Sequence, residues 1–200
     1  MRRRSQAAAQ VLEIVHGPLE QPWHSRLSRE TRDALPGLHA LVRDDPRSAV
    51  TELRAWIERE PLPMFFNWLS MAYSSLGDHQ GMEAAIRENY RTNPQYLFAR
   101  LNYAELCLRD GDLDGAREAL GPGFDIRALL GGRRRVHVSE VAGYFYAVGL
   151  YHIEAGDRDA AEKVYELLKE AAPGERPTEE LRRRLHPRLR DLLFTRRRRA

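Results

Sequence analysis

The stretch LCLRDGDLDGAREAL, residues 106–120, sets a Gly-Asp pair between two segments whose apolar residues recur at helical spacing. Each half of the pair has a physical task. Glycine adopts the left-handed backbone that commonly closes a helix just past its last turn. The aspartate after it accepts from the free N–H groups that open the next helix. Gly111-Asp112 is therefore a minimal hinge between antiparallel helices, and Ala116 and Leu120 are placed to pack the second helix on the first.

The same pair recurs as Gly77-Asp78 and Gly156-Asp157. The first two hinges are 34 residues apart, and the third follows 45 residues later, one period plus an insertion of 11. Counting back 33 from Asp78 reaches Asp45, followed by Pro46 at a first helical position where the missing N–H costs nothing. Fixed periods of this length mark helical arrays. The hinges are flanked by matching apolar stripes: Phe66, Leu69 and Tyr73 ahead of the first, Tyr103, Ala104 and Cys107 ahead of the second, and Phe145, Val148, Gly149 and His152 ahead of the third. After them come Met82 and Ile86, Ala116 and Leu120, and Ala161, Tyr165 and Leu168. These spacings are helix-core stripes, and Pro61, Pro94 and Pro173 close the units.

On these residues the chain resembles the tetratricopeptide-repeat (TPR) family. The pattern of bulky, small and aromatic residues, hinge glycine, alanine, apolar residue and closing proline is carried by Phe66, Ser70, Tyr73, Gly77, Met82, Ile86 and Pro94. It recurs as Ala104, Gly111, Ala116 and Leu120, then as Phe145, Gly149, Gly156, Ala161, Tyr165 and Pro173; Ala49, Leu53 and Pro61 belong to a degenerate first unit. Arg100 departs from it where a bulky apolar residue belongs, and Cys107 and His152 take aromatic positions. The resemblance implies an all-α, TPR-like antiparallel helix-hairpin solenoid, a right-handed superhelix, with units near 30–61, 63–94, 97–122 and 142–173 within 30–173. Residues 123–141 are an insertion, with a short helical turn expected over Ile126 to Leu130 and a basic loop at Arg133 to Arg135. Residues 1–29 are expected to form an N-terminal helix and connector, and 174–200 a capping helix and basic tail, the helix carrying Leu181, Leu185, Leu189, Leu192 and Leu193 on one face.

In that family the first helices of the hairpins line a concave face. The corresponding residues are Met64, Asn67, Met71 and Ser75, then Phe98, Leu101, Asn102, Glu105 and Arg109, then Tyr146, Leu150 and Glu154. Several are apolar where a solvated surface is polar, as binding patches are. The resemblance implies a non-catalytic adaptor that binds a peptide or protein there. The subclass that grips a peptide's terminal carboxylate is not expected: Asn102 matches one of its positions, but Asn67 and Met71 replace the Lys and Asn of the preceding unit.

Composition bounds the alternatives. Apolar residues make up 42% and charged residues 30% of 200 residues, a globular balance. No run reaches the ~18 apolar residues of a membrane span. The basic start MRRRSQAAAQVLEIVHG is followed by a short apolar stretch interrupted by Glu13, which argues against a secretory signal. One cysteine excludes an internal disulfide and points to the cytoplasm. Net charge is +3, but residues 176–200 hold ten Arg against three acids, local net +7, so residues 1–175 carry −4. The basic ends, Arg133, Arg134 and Arg135 with Arg196, Arg197, Arg198 and Arg199, define an alternative reading as a nucleic-acid-associated protein. Only Phe194 lies near the tail arginines for base stacking. No phosphate loop, nucleophile elbow or zinc-binding His pattern occurs. No catalytic residue, metal or cofactor is implied, and His152 and Cys107 read as packed core residues.

Overall fold

The computed structural model describes residues 12–17 and 27–187. The described chain is helical apart from two strands of three residues and short turns. Helices α1 (Arg29–Asp44) and α2 (Pro46–Arg59) pack as a pair, followed by α3 (Pro63–Ser75) with α4 (His79–Thr92), α5 (Leu97–Arg109) with α6 (Leu113–Leu120), and α7 (Val138–Glu154) with α8 (Arg158–Ala171). Helix α9 (Arg176–Leu185) lies against both α7 and α8.

The three Gly-Asp pairs build one hinge three times. Gly77, Gly111 and Gly156 have φ of 71°, 77° and 77°, in the left-handed region that only glycine enters cheaply. The aspartate N–H then reaches back to close the helix: Asp78 to the Tyr73 carbonyl at 2.9 Å, Asp112 to Cys107 at 2.8 Å, Asp157 to His152 at 2.9 Å. The aspartate carboxylate opens the next helix, accepting from Gly81 N at 2.8 Å, Gly115 N at 2.9 Å and Ala160 N at 3.0 Å. One residue thus satisfies both helix ends, with each cap contributing about 1 kcal/mol. The residue that donates this N–H sits close against the helix across the hinge at Gly81 and Gly115. A Cβ on Gly81 would sit 2.6 Å from the Tyr73 ring, and one on Gly115 would sit 3.0 Å from the Cys107 sulfur.

The core is a row of clusters. Leu38, Val42, Leu53, Phe65 and Leu69 fill the α1–α4 end. Leu97, Leu101, Leu120, Tyr144, Val148, Leu168, Leu181 and Leu185 belong to the α5–α9 end. Helix α6 is short because Gly121, at φ 84°, and Pro122 end it. Arg100 accounts for its own departure from the repeat pattern here. Its guanidinium donates to the carbonyls of Ala119 (2.8 Å) and Glu118 (2.9 Å) in the last turn of the truncated helix, and to that of Pro94 (2.9 Å) ahead of α5.

The insertion has the expected helical turn, a 3-10 turn over Ile126–Leu129 that buries Ile126, Leu129 and Leu130 beside α6, preceded by another 3-10 turn at Pro122–Phe124. Then β2 (Arg135–His137) pairs in parallel with β1 (Glu13–Val15), Ile14 opposite Val136. Residues 13–15 are therefore strand where an N-terminal helix was expected, and Ser28 caps α1 through the Thr31 N–H. Helix α7 starts at Val138, ahead of the expected Ala142, because His137 and Glu140 form a reciprocal cap. The C-terminal helix expected to run to Leu193 stops at Leu185. His186, at φ −124° and ψ 65°, precedes Pro187, whose ring disfavours a helical residue before it. Leu181 and Leu185 are buried against α7 and α8, so α9 covers this end of the row. Leu189, Leu192 and Leu193 lie outside the described residues. Among the described residues, no helix is long and apolar enough to cross a membrane.

Candidate functional site

A groove of about 750 Å³ opens where α3, α4, α5, α7 and α9 converge. Helix α5 supplies its central wall. Phe98, Asn102, Glu105 and Arg109 stand at i, i+4, i+7 and i+11, one face of a helix. The neighbouring stripe, Leu97, Leu101 and Ala104, is in the core. Helix α3 adds Asn67, Ser70 and Met71, and α7 adds Tyr146, Leu150 and Glu154. Met71 is 52% exposed, an unusual position for a large apolar side chain.

Nine of the twelve expected groove residues line this space: Asn67, Met71, Phe98, Asn102, Glu105, Arg109, Tyr146, Leu150 and Glu154. Ser75, Leu101 and Met64 are not among the lining residues. Leu101 is 2% exposed and faces α7, where a Cβ on Gly143 would come within 3.2 Å of it; it is a packing residue. Met64 packs on the α1–α4 core. Met82 and Ile86 on α4 and Arg184 on α9 are additional lining residues. The first two had been read purely as core stripe. Arg184 enters because α9 stands beside α7 like the first helix of one more hairpin.

The floor is pinned by an asparagine network. Asn89, 1% exposed, donates to the Pro63 carbonyl at 3.1 Å and to Asn67 Oδ1 at 2.9 Å, and accepts from Asn93 at 3.0 Å. Asn102 donates to the same Asn67 oxygen at 3.1 Å. One side-chain oxygen therefore ties α3 to both α4 and α5.

Charge divides the groove. Its α3–α4 side is uncharged, with Met71, Met82 and Ile86 beside Asn67, Ser70 and Ser74. Carboxylates gather toward α9: Glu105 and Glu154 line the groove, and Glu180 stands close enough to act on Glu105. Burial pushes the Glu105 carboxyl up to about 7, the charge of Glu180 adds to the shift, and Arg184 opposes it. Burial also raises the Tyr146 phenol, with Glu105 adding to the effect. Arg109 is engaged by Glu83 at 2.6 Å and by Asp110 at 3.9 Å, and Glu180 by Arg176 at 2.7 Å.

The expected basic patch divides. Arg133 is a buried-pair residue: its guanidinium holds Glu140, 1% exposed, at 2.8 Å and 3.3 Å. Arg135 pairs with Glu13 across the strands at 3.4 Å. The Arg134 carbonyl accepts from Glu13 N at 2.9 Å. Arg133 and Arg135 are therefore ion-paired while Arg134 is exposed, and Arg196 to Arg199 lie outside the described residues. Cys107 is 2% exposed, and burial raises its thiol. His152 packs on Phe124 and Tyr151, and burial holds its imidazole below the usual value.

Comparison of the chain with protein-family models, with curated proteins and with solved structures finds no match in any of the three.

Proposed function

We propose that the chain is a TPR-like antiparallel helix-hairpin solenoid acting as a non-catalytic adaptor, cytoplasmic as its single cysteine implies, and that it binds a peptide or protein segment in the groove. The observation that carries this reading is the convergence of the outer faces of α3, α5 and α7 on one 750 Å³ trough holding exposed Met71, half-buried Phe98 and unequal charge. Such a volume also suits a small molecule. Extension over five helices and the split into an uncharged and an acidic side favour a chain-like ligand. The repeated hinge supports the array reading, since equal closing geometry sets successive hairpins at similar angles.

The test is capture of a native binding partner by full-length protein with Phe98→Asp, and separately Met71→Asp. Leu167→Asp, at an exposed site outside the lining residues, serves as the control. Loss of a buried aromatic anchor removes about 2 kcal/mol, roughly 30-fold in affinity. Unchanged capture by both groove variants, with helicity intact, refutes the proposal.

A further inference from the structure

Glu105 stands on the central wall of the groove without an ion pair among the described residues, and so does Glu154 on α7. The groups around Glu105 are Tyr146 from α7 and Glu180 and Arg184 from α9. Across the groove, α3 offers Asn67, Ser70, Met71 and Ser74, none of them charged. Arg109, on the same face of α5, is held by Glu83 and Asp110, and Arg176 is held by Glu180. That leaves Glu105 and Glu154 facing Arg184, one cation short. Burial and the charge of Glu180 outweigh the pull of Arg184 and push the Glu105 carboxyl up to about 7.

The apolar side chains lie within a short reach of this carboxyl. Helix α4 is antiparallel to α3, with Gly81 against Tyr73 and Asn89 bonded to Pro63. It is antiparallel to α5 as well, with Glu83 on Arg109 and Tyr90 stacked on Tyr103. Helices α3 and α5 therefore run the same way, and the bond from Asn102 to Asn67 sets their register. Met71, one turn past Asn67, is level with Glu105, nearly one turn past Asn102. Neighbouring helix axes lie about 8–10 Å apart, the span of roughly three extended residues. We propose that the groove binds an extended peptide segment that sets an arginine or lysine on Glu105 and Glu154 and a large apolar side chain, about two to four positions away, against Met71, Met82 and Ile86. The inference rests on the groove reading above and names the chemistry of its ligand. The ligand cation gives Glu105 the charge-assisted hydrogen bond that folding withholds from it, while an acidic ligand meets like charge from Glu105, Glu154 and Glu180.

The experiment selects fully randomised, phage-displayed heptapeptides at pH 8 on the immobilised full chain. Full-length Phe98→Ser, Met71→Ser and Glu105→Gln chains, checked for unchanged helicity, are run in parallel; none of these substitutions adds a charge. The unaltered chain retains sequences with Arg or Lys about three positions from a large apolar residue. Glu105→Gln keeps the apolar preference and loses the basic one, and Met71→Ser weakens retention. A blocked synthetic peptide of the retained sequence binds about tenfold more tightly at pH 8 than at pH 6, because at pH 6 its cation must displace a proton from a carboxyl of about 7. In Glu105→Gln the two affinities are equal. Retained sequences that are acidic, or that carry no basic residue, overturn the inference; loss of their binding in Phe98→Ser or Met71→Ser keeps the groove. A basic preference that survives Glu105→Gln overturns it as well, assigning the attraction to the acidic surface at large. Tighter binding at pH 6 does the same, making Glu105 a protonated donor to a neutral or anionic ligand. No enrichment, or enrichment indifferent to both groove variants, removes the groove reading and this inference together.

Discussion

Arg133→Ala destabilises this protein far more than Arg134→Ala, although the two stand side by side in one arginine run. The reason is Glu140. Its carboxylate is 1% exposed and accepts from Arg133 at 2.8 Å and 3.3 Å and from the His137 N–H at 3.0 Å. With the guanidinium gone, a buried carboxylate keeps one backbone donor and no counter-charge. Breaking a buried pair from one side costs about 3–5 kcal/mol. Arg133 is itself 23% exposed, so water partly replaces it and the lower end, about 3 kcal/mol, applies. For a domain of this size that lowers Tm by roughly 6–12 °C. Thermal and urea unfolding of Arg133→Ala, Arg134→Ala, Glu140→Gln and the Arg133→Ala/Glu140→Gln double variant measure it. Neutralising Glu140 in the Arg133→Ala background recovers at least half of the loss, because the cost lies in the orphaned charge. An Arg133→Ala variant within about 0.5 kcal/mol of Arg134→Ala, the range of ordinary surface changes, refutes the reasoning and returns Arg133 to the solvent-facing basic patch.

Glu105 makes stability fall with rising pH. Its folded-state value, about 7, lies above the unfolded value of 4.5, so its contribution is complete below pH 4.5 and is lost as pH passes 7. The ceiling is about 3 kcal/mol, reduced by the carboxyl's partial exposure; urea midpoints from pH 4.5 to pH 8 for the native chain and Glu105→Gln measure it, and equal pH slopes reject it. Gly149→Val undocks α9, because the new Cβ alone lands 2.6 Å from the Leu181 side chain. With Leu181 and Leu185 released, at about 1.5–3 kcal/mol each, trypsin cuts at Arg182–Arg184 well before it cuts elsewhere; unchanged protection there contradicts the packing argument. Asn89→Ala removes the donor to Pro63 and Asn67 and costs about 2–3 kcal/mol, with chemical denaturation as the check, and a loss under 0.5 kcal/mol denies the network its structural role.

What the sequence made legible follows the range of the interactions. Gly111 and Asp112 declare a hinge because every bond that makes it is closed within nine residues, from the Cys107 carbonyl to the Gly115 N–H. The groove face of α5 was readable for the same reason, since Phe98, Asn102, Glu105 and Arg109 follow the helical period. The inclusion of Leu101 beside Asn102 failed because residues one apart point about 100° apart, and only packing against Gly143 decides which one is inside. Pairing of Ile14 with Val136 had no local signal: three residues pair with three others 122 positions away. The arginine run was opaque for the same cause. Nothing in RRR distinguishes the residue that meets a buried glutamate from its neighbours, and the distinction appears only when α7 starts at Val138 and turns Glu140 inward.

Repetition and specificity are therefore carried by different residues. The hinge positions are nearly invariant in geometry: a left-handed glycine, an aspartate serving two helix ends, and a small residue opposite the side chain that precedes them. That constancy fixes how each hairpin closes and leaves the outer faces of α3, α5 and α7 free to vary without loss of fold. The third hairpin tests this division. Its second helix has eight residues where α4 and α8 have fourteen, and Cys107 replaces the tyrosine of the first hinge. Yet the hinge bonds are the same within 0.1 Å, because Arg100 closes the short helix and the 3-10 turn at Ile126 fills the space beside it. The compensation falls on the side of the hairpin away from Glu105 and Arg109. A chain that absorbs so large an irregularity behind α5 while keeping the front of α5 aligned with α3 and α7 places its constraint on the groove, and the residues to change first in any search for its ligand are Met71, Phe98 and Glu105.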